Sequence, residues 1–501
     1  MRRVAVSRTM VVAVVIILLV VASFAAYDVF LSEGHASCLT IPSGGVRTQI
    51  ASTTFGAVTE YMIPGQDRWP NAITTDEDGS VWFAEQVPPG VAHLYPSNGT
   101  LVEYSWPGLA ESKPPDCPPT VNLSGIAVWN GWVWAADEFG NLIIGVNPGN
   151  GATFPINSTA VAPFPYWLAG GPDGNLWFTS SNLAGQPTRL GMVLPNMTVR
   201  TVDLLGLGDY QPVQLEFVNA TLAYLSTINE ATNATTHSCD CTGHVYSFNP
   251  SAAGQSLTPR LVGGGARLLL TTSVSYAAGT VWVAQHGGSN LVGYNLTAGA
   301  WETFPTSLVT WSDVTLPLEV DSNQKGVWFN EHIANKIALL SPSEGTLTEY
   351  SESEPPAAGS EGIQNDLSIA ATAKGLWFTS MSGNYVGFVN GSVDPGFHIG
   401  ALTNHATIAP GGNRTFTLAV SGTVPDRTAV NFSDSEGLTS IPALIQISRG
   451  EVGAASGTGA QYTFQVSVRV GQGIHPGPYT VAVTLAVGGV QQTAYLFIDV
   501  P

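Results

Sequence analysis

One short phrase recurs along most of this chain: an aliphatic residue, a tryptophan, then a third apolar residue. The copies are Val81-Trp82-Phe83, Val133-Trp134-Ala135, Leu176-Trp177-Phe178, Val281-Trp282-Val283, Val327-Trp328-Phe329 and Leu376-Trp377-Phe378. Leu222-Ala223-Tyr224 fills the one long gap as a degenerate seventh copy, with Ala223 taken in the tryptophan position. Each copy precedes a short loop, a second apolar run and a third run rich in Thr, Glu and Phe. A repeat of roughly 40–50 residues built from four short strands is the signature of a β-propeller blade.

The ends of the array extend the argument. The last unit, Asn365 to Val393, holds only three strands. An orphan segment before the first unit, Val58-Thr59-Glu60-Tyr61-Met62-Ile63-Pro64, reads like the fourth strands Leu101-Val102-Glu103-Tyr104 and Leu347-Thr348-Glu349-Tyr350. The N-terminal segment is therefore expected to complete the last blade, which removes exposed sheet edges and closes a ring of seven.

Composition agrees with many short strands: 11% of residues are charged, while 55 Gly and 33 Pro supply turns. The formal charge of −19 excludes nucleic acid as a partner, since that needs a basic surface. Arg2, Arg3 and Arg8 precede an apolar run from Met10 to Ala26. Two readings fit: a signal peptide cleaved after the small-x-small segment Ser23-Phe24-Ala25, or an uncleaved anchor extended by Tyr27 to Leu31. The anchor is preferred, giving a single-pass cell-membrane protein; cleavage would give a secreted one. The basic end stays inside and the body is sent out.

Ten Asn-x-Ser/Thr acceptors suit an exported glycoprotein: Asn98, Asn122, Asn157, Asn196, Asn219, Asn233, Asn295, Asn390, Asn413 and Asn431. Cys38, Cys117, Cys239 and Cys241 are an even number in such a chain and are expected to form disulfides. Cys239 and Cys241 are too close to pair comfortably with each other, and three connectivities stay open.

From about residue 398 the tryptophan phrase stops. Alternating runs replace it, among them Thr415-Phe416-Thr417-Leu418-Ala419-Val420 and Tyr479-Thr480-Val481-Ala482-Val483-Thr484-Leu485, the pattern of a β-sandwich. Ala409-Pro410-Gly411-Gly412-Asn413-Arg414-Thr415-Phe416 and Pro476-Gly477-Pro478-Tyr479-Thr480-Val481 resemble the Ig-like modules repeated in archaeal and bacterial envelope proteins, where a spacer or adhesive role is usual. The expected organisation is all-β: an anchor or transmembrane helix at 1–32, a stalk at 33–56, a seven-bladed β-propeller at 57–395 and an Ig-like β-sandwich at 396–501.

The blades carry a resemblance of their own. Pro70-Asn71-Ala72-Ile73-Thr74-Thr75-Asp76-Glu77-Asp78-Gly79-Ser80-Val81-Trp82-Phe83-Ala84-Glu85, Gly171-Pro172-Asp173-Gly174-Asn175-Leu176-Trp177-Phe178-Thr179 and Trp328-Phe329-Asn330-Glu331-His332-Ile333-Ala334-Asn335-Lys336-Ile337 resemble units of the virginiamycin B (streptogramin) lyase family. The resemblance implies seven blades, elimination on a cyclic lactone, Mg²⁺ and a catalytic His near the axis. That His stands in a Pro-His-Gly segment at the start of an inner strand. The matching segments here, including Pro70-Asn71-Ala72, Ser124-Gly125-Ile126 and Tyr166-Trp167-Leu168, contain none. Fold similarity alone grants no activity.

Three residues beyond the tryptophan positions stand Glu85, Asp137, Ser180, Ser226, Gln285, Glu331 and Ser380. Convergence on the ring axis would let Glu85, Asp137 and Glu331 share a divalent cation, Mg²⁺ or Ca²⁺. His286 and His332 follow on successive blades and are the catalytic candidates, while Glu216 and Glu319, acids among apolar inner-strand residues, are ligand-binding candidates. The plainer alternative, strand-end polar groups bonded to neighbouring loops, is preferred for these, and packing between blades for the tryptophans. Three functions follow in order of preference. The first is a membrane-anchored extracellular glycoprotein whose propeller binds an envelope protein or glycan without turnover. The second is an exported lyase or hydrolase using Glu331, His332, His286 and a divalent cation. The third is a unit of a structural cell-surface layer.

Overall fold

The computed structural model describes residues 45–65, 67–106, 122–180, 188–229, 241–266, 268–307, 314–353, 366–424, 430–434, 445–449 and 462–501. The expected anchor, Cys38, Cys117, Cys239 and Asn233 lie outside the described residues. Among the described residues no helix is long and apolar enough to cross a membrane. Helical backbone there is confined to turns at Pro250–Ala252 and Gly263–Gly265.

Seven sheets, antiparallel through their blade strands, form the ring of a β-propeller. Their innermost strands, numbering the blades one to seven, are Pro70–Thr75, Leu123–Trp129, Pro165–Gly170, Gln211–Asn219, Thr271–Ala277, Pro317–Asn323 and Asp366–Thr372. Each touches the next in a closed circle, the seventh returning to the first. Val58–Met62 is the fourth strand of blade seven, with Val58 opposite Val389 and Met62 opposite Tyr385. Neighbouring inner strands run in the same sense, as the contacts of Ser124 with Tyr166, Thr272 with Leu318 and Ser275 with Ser322 require. All blade-to-blade connections therefore open on one face, here called the mouth. The turns after first and third strands lie on the opposite face, the base.

The recurring phrase works by facing two ways. In a strand, successive side chains point to opposite faces, so the tryptophan enters the core shared with the following blade and the next residue enters the core behind. Trp134 meets Phe178 in one such layer, Trp282 meets Phe329, Trp328 meets Phe378, and Trp377 meets Phe83 across the ring closure. Room for the rings comes from third-strand glycines: Gly145 opposite Trp134, Gly293 opposite Trp282 and Gly191 opposite Phe178. A Cβ on Gly191 would sit 2.0 Å from the Phe178 ring. Gly191→Ala is expected to destabilise the ring by about 1–3 kcal/mol through overpacking, seen as a lowered urea midpoint at unchanged slope.

Blade four corrects the alignment of the degenerate phrase. Pro212 pairs with Thr227 and Glu216 with Tyr224, as Pro70 pairs with Glu85 and Thr74 with Trp82. Tyr224, not Ala223, holds the tryptophan position and packs on blade five beside Val274 and Val281. Thr227, not Ser226, is therefore the third residue beyond it. Adjacent apolar residues left the register open by one, and such a slip exchanges the two faces.

The expected stalk is also corrected. Val46–Gln49 adds a fifth strand to blade one, and Ser52–Phe55 pairs with Val58–Met62 at the edge of blade seven. Unpaired backbone groups on an outer strand recruit any extended segment that can reach them. The N-terminal chain thus spans the seam where the ring closes.

Beyond the ring, Phe397–Ala401, Asn413–Gly422, Tyr462–Val470 and Ile445–Arg449 form one sheet. It faces a second sheet containing Gly477–Val487 and Val490–Val500 across a core that includes Phe416, Leu418, Val466, Val483, Leu496 and Ile498. Val490–Val500 has a second partner: it pairs antiparallel with Thr346–Ser351, the outer strand of blade six, from Thr346 opposite Ala494 to Tyr350 opposite Val490. Tyr495 donates to the Pro305 carbonyl at 2.7 Å and lies edge-on to Phe304. The C-terminal unit is joined to blade six by a continuous sheet.

Candidate functional site

The axis is lined by the inner strands, and a register irregularity near the start of each places an extra residue there. The polar residue two beyond the tryptophan position holds this bulge. Thr179, Ser226, Asn330 and Thr379 each accept the N–H of a bulge residue: Trp167, Gln214, Glu319 and Ser368 respectively. The same four side chains donate to the next inner strand, at the carbonyls of Val213, Thr272, Asp366 and Asn71. Bulge side chains form a second row of ties: Gln214 to the Val274 N–H, Ser273 to Val320, Glu319 to Ile369 and Ser368 to Ile73. Sequence reasoning missed these latches. Their signal was a polar residue after Trp-Phe in an otherwise apolar strand, as in Trp177-Phe178-Thr179 and Trp328-Phe329-Asn330.

Glu319 is thus a latch with a carboxylate. Its Oε2 accepts from Ile369 at 2.8 Å and from the Ser368 hydroxyl at 3.0 Å. Asp321, two residues on, accepts from the Ala371 N–H at 2.7 Å. Glu216, on the inner strand of blade four, is half-exposed, and its carboxyl makes no hydrogen bond among the described residues. Burial pushes Glu216 up to about 8, with the Asp321 carboxylate adding to the shift. Burial likewise pushes Glu319 up to about 8, against the bonds from Ile369 and Ser368. Asp321 is raised by burial as well. The Asp321 carboxylate thus adds to the rise of both Glu216 and Glu319.

The residues three beyond each tryptophan do not converge there. Each pairs with the first residue of its own inner strand and lies inside its own blade. Glu85 is fully buried beside Glu103, which Arg68 pairs at 2.9 Å. Burial pushes Glu85 up to about 8, Glu103 adds to this, and Arg68 opposes it. Asp137 is capped by the N–H groups of Gly140 at 3.1 Å and Asn122 at 3.3 Å. Burial nevertheless pushes it up to about 7.

Glu331 shares its pocket with Glu349 and Lys336, whose Nζ lies 3.2 Å from Glu349 and 3.8 Å from Glu331. Burial and the Glu349 carboxylate hold Glu331 well above the usual carboxylate range, with Lys336 opposing them. Blade seven repeats the theme with Glu352 against Asp366, and Tyr385 donating to Glu352. Burial raises both acids, and the Glu352 carboxylate adds to the rise of Asp366. Among the described residues no three His, Cys, Asp or Glu side chains are grouped to hold a metal ion. Glu85, Asp137 and Glu331 are accordingly separate, two of them beside an Arg or Lys rather than around a common cation. The physical reason is their place on second strands, one strand removed from the axis.

The two histidines do come together: the rings of His286 and His332 lie edge to face with centroids 5.3 Å apart at the mouth of blades five and six. His332 Nδ1 donates to the Asp366 carbonyl of blade seven at 3.1 Å. Gln86 makes the same tie from blade one, its amide bonding both the N–H and the carbonyl of Leu123. His286 Nε2 is buried and has no hydrogen-bond partner among the described residues. Burial, then the neighbouring His332, lowers His286 to about 3, and burial lowers His332 also, so both rings are neutral at physiological pH. Of the cysteines, Cys241 is described and is not free.

No protein-family model and no curated protein matches the chain. Among solved structures it is similar to a streptogramin B lyase, at 18% identity over 66% of this chain and 97% of that one, with a TM-score of 0.47. It is also similar to the PQQ-bound aldose sugar dehydrogenase of Streptomyces coelicolor, at 13% identity, 58% and 94% coverage and a TM-score of 0.36. Dihydro-heme d1 dehydrogenase NirN is matched at 9% identity, 73% and 79% coverage and a TM-score of 0.42. At such identities and scores the likenesses say nothing about chemistry, and the ring stands on its own strand registers.

Proposed function

We propose that this chain is an exported, membrane-anchored glycoprotein whose propeller binds a partner at the mouth and channel without turning it over. The observation that carries this reading is that His332, one of the two catalytic candidates, is committed to holding blades together. An elimination needs a base within hydrogen-bond reach of the proton it abstracts. His332 is tied to the Asp366 carbonyl, and Glu331 is sealed inside blade six at 0% exposure. Glu216 has no such tie and stands half-exposed on the inner strand of blade four, within reach of the Asp321 charge. In this reading Glu216 receives a protonated amine from an envelope protein or glycan. The C-terminal unit is read as an Ig-like module and a fixed arm, and Cys241 as half of a disulfide that staples a mouth loop.

Calorimetry of the exported body with a polyamine tests this, with Mg²⁺ and Ca²⁺ as controls expected not to bind. Near pH 7.5 binding is expected to release protons, because a cation favours the ionised forms of groups that titrate at about 8. Glu216→Gln should abolish binding and leave the melting temperature within a few degrees. The same protein with Mg²⁺ is expected to leave a streptogramin-type lactone intact. Lactone opening that disappears in His332→Ala would replace the binding reading with the enzymatic one.

A further inference from the structure

Of the seven acceptor asparagines among the described ring residues, five lie on one face and two, Asn122 and Asn157, on the other. Asn98, Asn196 and Asn295 sit in the turns between third and fourth strands of blades one, three and five. Asn390 closes the third strand of blade seven, and Asn219 ends the first strand of blade four. All five therefore lie on the base. Asn98, Asn196 and Asn219 are exposed, and Asn295 and Asn390 half-exposed.

Their local geometry is uniform. Each side-chain Oδ1 accepts the N–H two residues on: Thr100, Thr198, Thr221, Thr297 and Ser392. In Asn196 and Asn219 the Thr hydroxyl donates to the same oxygen, at 2.7 and 3.0 Å. The oxygen faces the turn, which leaves the amide nitrogen as the reactive atom.

Asn122 is the contrast. It stands at the mouth, immediately before the inner strand of blade two, and its Nδ2 donates to Glu138 Oε2 at 2.8 Å. Glu138 is itself buried. A sugar on that nitrogen would take up one of its protons and drive bulk into the space between the two side chains. Asn157 is exposed at the mouth end of blade two, but on the outer strand, away from the axis.

We propose that Asn-linked sugars cover the base of the ring through Asn98, Asn196, Asn219, Asn295 and Asn390, while Asn122 stays bare and the central mouth remains open to a partner. The transfer needs a lipid-phosphate-linked sugar as donor. The amide nitrogen attacks the anomeric carbon, the N–C bond forms as the C–O bond to the phosphate breaks, and one amide proton is lost. The inference rests on the exported reading above and adds the direction in which the partner approaches.

Glycopeptide mass spectrometry on the full chain, purified from membranes of a host with Asn-linked glycosylation, tests it. Sugar is expected at the five base positions and absent from Asn122. Thr198→Ala, Thr221→Ala and Thr297→Ala keep each asparagine and should each remove one glycan from the intact mass, whereas Ser124→Ala should remove none. Sugar on Asn122 in folded protein, or bare base positions beside occupied mouth ones, overturns the facial assignment alone. A chain exported without sugar at any position overturns it together with the glycoprotein reading.

Discussion

The melting temperature of the exported body is expected to fall as pH rises from 5 to 8.5, by on the order of 10 °C or more. The cause is the number of carboxyl groups that folding draws wholly or partly out of water. Glu85, Glu216 and Glu319 titrate at about 8 in the fold, and Asp137 at about 7, against 4.5 and 3.8 for the free side chains. A raised carboxyl pKa means that the folded state holds its proton where the unfolded state has released it. The stability is complete below about pH 4, where both states are protonated, and is lost as pH climbs through the folded values. Each such group contributes a slope of up to about 1.4 kcal/mol per pH unit inside its window. Glu352, Asp366 and Glu331 act in the same direction, since burial raises each of them and a neighbouring carboxylate adds to the shift of Asp366 and Glu331. The formal charge of −19 adds self-repulsion at high pH. Glu85→Gln and Asp137→Asn fix the neutral form and should flatten the profile. A melting temperature that is level or rises between pH 5 and 8.5 would refute the assignment of protonated carboxyls to the blade cores.

Lys336→Met is expected to cost about 3–5 kcal/mol at pH 7, because it strands two carboxyl groups in a buried pocket. The ammonium is the hub between blade six and the C-terminal arm. It donates to the Ser307 carbonyl at 2.8 Å, the Ser307 hydroxyl at 2.9 Å, Glu349 at 3.2 Å and Gln491 of the arm at 3.2 Å. Burial works against its charge, but Glu349 and Glu331 outweigh burial and raise its pKa, so it remains an ammonium at neutral pH. Two outcomes identify the cause. The loss should shrink at pH 5, where a carboxyl stranded without its ammonium takes up a proton more readily, and Lys336→Met with Glu349→Gln should be more stable than Lys336→Met alone. Equal losses at both pH values, with no rescue by the second change, would mean that Lys336 acts through packing alone.

The sequence by itself determined the ring. Aliphatic-Trp-apolar phrases at blade spacing leave few other ways to bury so many large side chains, and the Thr-Glu-Tyr segment at 59–61 already named the strand that closes the circle. It also marked Glu216 and Glu319 as acids in apolar strands and placed His286 and His332 on adjacent blades. What only the tertiary structure decided was which polar groups meet. Glu85, Asp137 and Glu331 occupy equivalent positions, and equivalence suggests convergence. A second-strand side chain instead meets the third and fourth strands of its own blade, so Glu331 finds Lys336 and Glu349 rather than the other two acids. The one-residue slip at Tyr224 has the same origin: Leu222, Ala223 and Tyr224 are all apolar enough to bury, and only pairing with Glu216 selects the face. The docking of Val490–Val500 on blade six could not be read from alternation either. A strand's pattern encodes its two faces, whereas the edge it joins is chosen by backbone hydrogen bonds that every sequence can make.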